Sequence, residues 1–136
     1  MGIDLEEQIY KDSKVIAVVG LSANPERPSH RVASYLKANG YTIIPVNPSI
    51  ELCLDEKCYP DLSSIPFAVD VVDIFRKPED VLPIVEDAVN IGAKTVWMQE
   101  GVINEEAAEY ARKAGLHVVM NRCMLKEHQR IYNSEY

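Results

Sequence analysis

The chain has 136 residues, 47% hydrophobic and 26% charged, a balance that suits one domain with a core of its own and leaves little room for a second. A net charge of −7 and a pI near 4.9 repel phosphate backbones at long range, which argues against nucleic-acid binding. No apolar run approaches the roughly 18 to 20 residues of a membrane span. The acidic N-terminus also lacks a signal core, so a cytoplasmic location and no membrane partner are expected.

In chain order, an acidic helix is expected over 4–12. Gly2 before it does not signal myristoylation, because Glu6 stands where that motif needs Ser or Thr. Val15–Val19 is unbroken apolar, as in a parallel strand covered on both faces, and it stops at Gly20. After a loop rich in Pro, Asn and Ser, Val32, Ala33 and Leu36 fall at helical spacing. They predict a helix over Ser29–Asn39, with Ser29 as N-cap and Gly40 as its stop. Tyr41–Val46 reads as a second strand, ended by Asn47-Pro48. Residues 49–67 are irregular, with a short helical turn around Leu62. Cys53 and Cys58 lie there, and their C-x4-C spacing without a second pair reads as two incidental thiols.

Val69–Phe75 is a third strand, and Pro78 suits the first position of a helix to Ile91 whose early turns Pro83 bends. Lys94–Met98 is a fourth strand, Asn104 caps a helix to Ala114, and Leu116–Met120 is a fifth strand. Met124–Tyr132 forms the last helix; Ile131 and Tyr132 cover the sheet or pair with a second copy, two readings the sequence leaves open. The alternation gives a doubly wound, five-stranded parallel sheet in three α/β/α layers, Rossmann-like, as a single domain over 1–136. The expected strand order, counted along the chain, is 3-2-1-4-5.

Ligands of such sheets sit beyond the carboxyl ends of the strands, beside the first strand. The first turn there, Gly20 to His30, is a polar loop of roughly nine residues where packing needs about two to six. Gly20 leaves room for close approach, Ser22 and Asn24 offer short polar side chains, and the helix near Ser29 aims unpaired N–H groups at the crevice. Arg27 adds a cation, and His30 stands at the helix start. The loop suits a phosphate, although its single glycine is no dinucleotide fingerprint. Asn47 and Pro48 end the second strand where nicotinamide enzymes carry an acid, which demotes a nicotinamide-dependent oxidoreductase. Phe75, Arg76 and Lys77 combine an aromatic with two cations, able to stack a base and grip phosphate. Gln99 and Gly101 end the fourth strand, while Trp97 within it reads as packing. Cys123, beside Arg122, reads either as a small buried hydrophobe or as a thiol with thiolate character. His117 and His128 do not face this edge, and neither a catalytic triad, a metal-spaced cluster nor a Walker lysine occurs.

Five segments in this order, V-V-G-L-S-A-N-P-E-R-P-S-H (18–30), P-V-N-P (45–48), D-I-F-R-K-P (73–78), W-M-Q-E-G-V (97–102) and V-M-N-R-C-M (119–124), resemble the small CoA-binding domain proteins. Those are similar to the N-terminal CoA-binding domain of the succinyl-CoA synthetase α subunit. The resemblance spans essentially the whole chain and implies a stand-alone Rossmann domain with coenzyme A or an acyl-CoA as ligand; the missing catalytic set points to binding without catalysis. It implies that Gly20, Ser22, Arg27 and Ser29 hold the phosphates, that Asn47, Pro48, Phe75 and Arg76 border the adenosine, and that Gln99 and Gly101 line the pantetheine path. Gln99 departs from the synthetase Thr-Glu-Gly segment, and the phosphohistidine and second domain have no counterpart. The alternatives carried forward are a nicotinamide-dependent oxidoreductase, an accessory subunit of an acyl-CoA ligase, which needs a partner protein, and a mixed disulfide between Cys123 and the CoA thiol.

Overall fold

The computed structural model describes residues 4–132; Gly2 lies outside them. The apolar runs become the strands of one parallel sheet: β1 (Val15–Val19), β2 (Thr42–Val46), β5 (Val71–Ile74), β6 (Thr95–Met98) and β7 (His117–Met120). A two-stranded hairpin, β3 (Leu52–Cys53) with β4 (Glu56–Lys57), interrupts the segment expected to be irregular, and a single 3-10 turn covers Leu62–Ser64.

Residues alternate between the two faces of the sheet. Ala17, Val19, Val72, Ile74, Val96 and Met98 pack against α3 (Val81–Asn90) and α4 (Glu105–Lys113). Ile16, Val18, Val71, Trp97 and Val119 pack against α1 (Leu5–Asp12), α2 (Pro28–Ala38) and α5 (Met124–Tyr132). This is the three-layer, doubly wound Rossmann-like architecture. On α5, Met124 and His128 are buried and Ile131 packs against the core, so the helix covers the sheet while Tyr132 stays 41% exposed. No helix among the described residues is long and apolar enough to cross a membrane.

The strand order differs from expectation. It is β2-β1-β5-β6-β7, so the third large strand pairs with β1 and not with β2. Two features of the chain agree with this. Pro45 lacks an N–H, and proline in a strand belongs at a sheet edge; here the Pro45 carbonyl accepts from Tyr59 N–H at 2.9 Å on that free side. In addition, all four residues of β5 are buried, as suits a strand flanked by β1 and β6 and covered on both faces. The switch point therefore lies between β1 and β5.

Helix boundaries also shift. The second helix begins at Pro28, with Arg27 at the N-cap position, so Ser29 is not the cap. Pro at the first helical position needs no N–H donor, which makes Pro28 the natural start. The helix expected from Pro78 divides into a 3-10 turn over Pro78–Asp80 and α3 from Val81. Pro83 has no N–H to continue a ladder back to residue 79, and it falls instead in the first turn of α3, where none is required. Asn104 caps α4 as expected, its side chain accepting from Ala107 N–H at 2.9 Å.

Candidate functional site

The carboxyl ends of the strands enclose a cleft of about 830 Å³, within the range of small-molecule sites. It follows the strand order: Asn47 after β2, Gly20 and Ser22 after β1, Phe75, Arg76 and Lys77 after β5, Gln99 after β6, and Cys123 after β7. Four strand spacings of about 4.8 Å give it a length near 19 Å. Arg27 and Ser29, at the start of α2, form its wall. Of the residues singled out from sequence, Asn24, His30, Pro48 and Gly101 do not line it. Pro48 lines a smaller neighbouring cleft of about 270 Å³ on the α3 side, which shares Gly20, Arg76 and Asp80 with the larger one.

Gly20 is required for a different reason than expected. Its φ is +88°, and a Cβ there would stand 2.3 Å from the Phe75 carbonyl oxygen and 3.1 Å from Arg76 Cδ. The glycine admits the neighbouring strand end, not a ligand. The Ser and Asn residues of the first turn are likewise occupied with the turn itself. Ser29 Oγ accepts from Ser22 N–H, Ser22 Oγ from Asn24 N–H, and Asn24 Oδ1 from Glu26 N–H, at 3.0, 3.1 and 3.0 Å. Arg27 N–H donates to the Asn24 carbonyl. A cradle made mostly of loop amides is therefore not present. What faces the cleft is the first turn of α2, which has no side-chain cap, together with cations. Asn47 also stitches structure, donating to the Leu21 carbonyl and accepting from Ser49 N–H.

The electrostatics are mixed. Arg27, Arg76 and Lys77 bring three cations to the cleft, and Asp80 and Glu100 bring two acids. The acids are paired: Asp80 lies 3.7 Å from Arg76, and Glu100 accepts from Lys126 at 3.0 Å. Neither Arg27 nor Lys77 has an ion pair among the described residues. Gln99 is buried, its Oε1 accepting from Met124 N–H at 3.2 Å, so its amide nitrogen is the end available to a ligand. Gly101 points elsewhere, its N–H donating to Asn121 Oδ1. All three cysteines are free and buried, and burial pushes the Cys53 and Cys58 thiols up. Trp97 packs fully buried, its indole N–H donating to the Arg122 carbonyl. No cluster of His, Cys, Asp or Glu suited to a metal occurs among the described residues.

The model of the CoA binding domain family matches residues 14–129. The chain belongs to that family. It is similar to the uncharacterized protein YneT of Bacillus subtilis, 38% identical over 122 residues and 90% of each chain. It also matches acetate–CoA ligase [ADP-forming] II of Archaeoglobus fulgidus, 33% identical over 116 residues, 81% of this chain but 17% of the ligase. Among solved structures, a hypothetical protein from Pyrococcus horikoshii OT3 superposes with a TM-score of 0.89 at 45% identity, covering 95% of this chain and 92% of that one. The dinucleotide-forming acetyl-coenzyme A synthetase 1 of Ca. Korarchaeum cryptofilum aligns with a TM-score of 0.74 at 27% identity, covering 87% of this chain and 28% of that one.

In this CoA-binding domain the sequence reading missed Pro28, Val32, Asp80, Glu100 and Val102, which complete the cleft lining. Pro28, Glu100 and Val102 adjoin residues that were singled out and Asp80 follows Lys77 within one turn, so the signal was position along the strand ends. Val32 lies one helical turn beyond Ser29, a spacing that puts both on one side of α2.

Proposed function

We propose that the chain binds coenzyme A or an acyl-CoA along this cleft without catalysing a reaction of its own. One observation carries the reading: in a chain of net charge −7, Arg27, Arg76 and Lys77 line one cleft together with the uncapped start of α2. That is an anion site built against the overall field. The phosphates lie at these cations. The adenosine extends toward Asn47 and the smaller cleft beside Pro48, and the pantetheine arm crosses β5 and β6 past Gln99 toward Cys123. The absence of chemistry is supported by the state of the reactive groups, since Asp80 and Glu100 are ion-paired and Cys123 is buried. Asn47 in place of an acid after β2 disfavours a nicotinamide dinucleotide.

Calorimetric titration with CoA, acetyl-CoA and NAD tests the reading. Binding of a CoA species and none of NAD is expected; no heat with CoA at millimolar concentration overturns it. A second reading, a CoA-binding subunit of an acyl-CoA ligase, is favoured by the match to 17% of an acetate–CoA ligase. It requires ligase activity to appear when a co-purifying chain is added back, and inactivity of every such complex removes it.

A further inference from the structure

The sequence of β5, Val71-Val72-Asp73-Ile74, puts an acid where both faces of the sheet are covered. Asp73 pairs in register with Val18 of β1 and Trp97 of β6, and it is 0% exposed. Two positions further along those three chain segments stand Gly20, Phe75 and Gln99, all of which line the large cleft. Asp73 thus lies one layer beneath the cleft floor, and at Gly20 that floor has no side chain. Neither carboxyl oxygen has a hydrogen-bond partner among the described residues.

The titratable groups on that face are Tyr10 on α1, Tyr35 on α2, Tyr41 before β2, Cys53 and Cys58 at the β3–β4 hairpin, Cys123, and Glu127, His128 and Tyr132 on α5. Arg76 and Lys77 stand on the rim above. Burial pushes the Tyr10 and Tyr132 phenols up and Tyr41 to about 12, and it pushes His128 down. Those four groups stay neutral from about pH 7 to 9. Burial also pushes the Asp73 carboxyl well above its ordinary range.

A bound polyanion does two things to Asp73. It covers the cleft floor, removing the nearest water, and it adds negative charge overhead; both favour the neutral acid. We propose that Asp73 must hold its proton for the cleft to be filled, so that a CoA-type polyanion takes up a proton from solvent at Asp73 as it binds. Binding then weakens as pH rises. The inference rests on the CoA reading above and adds a proton linkage to it.

Titration of CoA into the whole chain between about pH 5.5 and 9, in paired buffers of different ionisation enthalpy, counts the protons exchanged. The unmodified chain should take up as much as one proton more than Asp73→Asn. Its affinity should fall by up to about tenfold per pH unit, against less than about twofold in Asp73→Asn. The terminal phosphate of CoA titrates near pH 6 in both experiments and cancels in the comparison. Asp73→Ser replaces the Asn variant if that misfolds. The unmodified chain reports independently through the infrared carbonyl band of a protonated carboxylic acid, which should persist in the complex at a pH where the free chain has lost it. Equal proton counts and parallel pH profiles overturn the inference and leave the CoA reading intact. Absence of CoA binding at every pH overturns that reading and the inference together.

Discussion

Asp70 stands just before β5 at the amino edge of the sheet, and Asp73 sits within β5 beneath the carboxyl edge; their surroundings are opposite. Asp70 Oδ2 accepts from Lys14 and Val15 N–H, both at 2.9 Å, and Oδ1 lies 3.5 Å from Lys94 Nζ. Burial pushes its carboxyl up, but those two donors and the ammonium outweigh it and hold it below the usual range. One side chain thereby ties the entries of β1, β5 and β6. Asp73 has no such set of donors; burial pushes its carboxyl up, and the Ile74 main-chain N–H offsets that only in part. At the amino edge Asp70 is matched by main-chain donors and a lysine; at the carboxyl edge the turn residues are matched as well, but among the described residues Asp73, Arg27 and Lys77 are not. Unmatched polar groups are where function is to be sought, because packing does not explain them.

Gly20 at the carboxyl edge is a cleft residue whose role is structural. Gly20→Ala forces a Cβ to within 2.3 Å of the Phe75 carbonyl oxygen at a φ of +88°, so β1 and β5 must part at their ends. A stability loss of about 4 kcal/mol is expected in denaturant titration, the largest effect of any single change considered. A loss under about 1 kcal/mol would show that the first turn yields easily and that the carboxyl edge is soft throughout.

The two acids should then respond to pH in opposite senses. The folded-state pKa of Asp73 is raised, so its stability contribution is present below the unfolded value of 3.8 and is lost as pH rises toward the folded value. Asp73→Asn should therefore gain stability over the unmodified chain as pH rises to 8, with the gain vanishing near pH 4. For Asp70 the folded pKa is depressed, so its contribution is present above the unfolded value and is lost as pH falls. Asp70→Ala should cost about 2 kcal/mol at pH 7, from two main-chain donors left without an acceptor, and less at about pH 3. Thermal melts across pH check both. If the two variants shift in the same direction, the contrast between the edges fails.

The parts of the fold that were legible in the sequence are those where one physical requirement dominates. Val15–Val19 had to be covered on both faces, and it is. The strand order was misread because its deciding signal is a single residue, Pro45, within an otherwise regular apolar run. The β3–β4 hairpin was missed because its turn, Leu54-Asp55, has φ of +54° and +61° without the glycine or asparagine that announces such turns. Lys37 reaches over to hold it, donating to the Leu54 carbonyl and pairing with Glu56 at 3.2 Å. At the candidate site, strand-end position identified Arg27, Phe75, Arg76, Lys77, Gln99 and Cys123 as neighbours of one cleft. It did not reveal which polar groups the loop uses for itself, because that depends on dihedral angles several residues apart. Asp73 lay within a motif already singled out, and an acid flanked by buried Val72 and Ile74 was the available signal.

The smallest expected effect separates binding from folding most cleanly. Arg27 is exposed, has no ion pair among the described residues, and offers no side-chain cap to α2. Nothing in the core depends on it, so Arg27→Ala should change stability by no more than about 0.5 kcal/mol. If Arg27 supplies a charge-assisted contact to a phosphate, CoA affinity should fall roughly tenfold, equivalent to about 1.4 kcal/mol, with the loss shrinking at high salt. Asp70→Ala should show the converse, a melting shift with CoA affinity of the folded fraction unchanged. An Arg27→Ala chain that melts early and binds normally would place the cation in the framework rather than the site, and the division between a stitched amino edge and a receptive carboxyl edge would have to be redrawn.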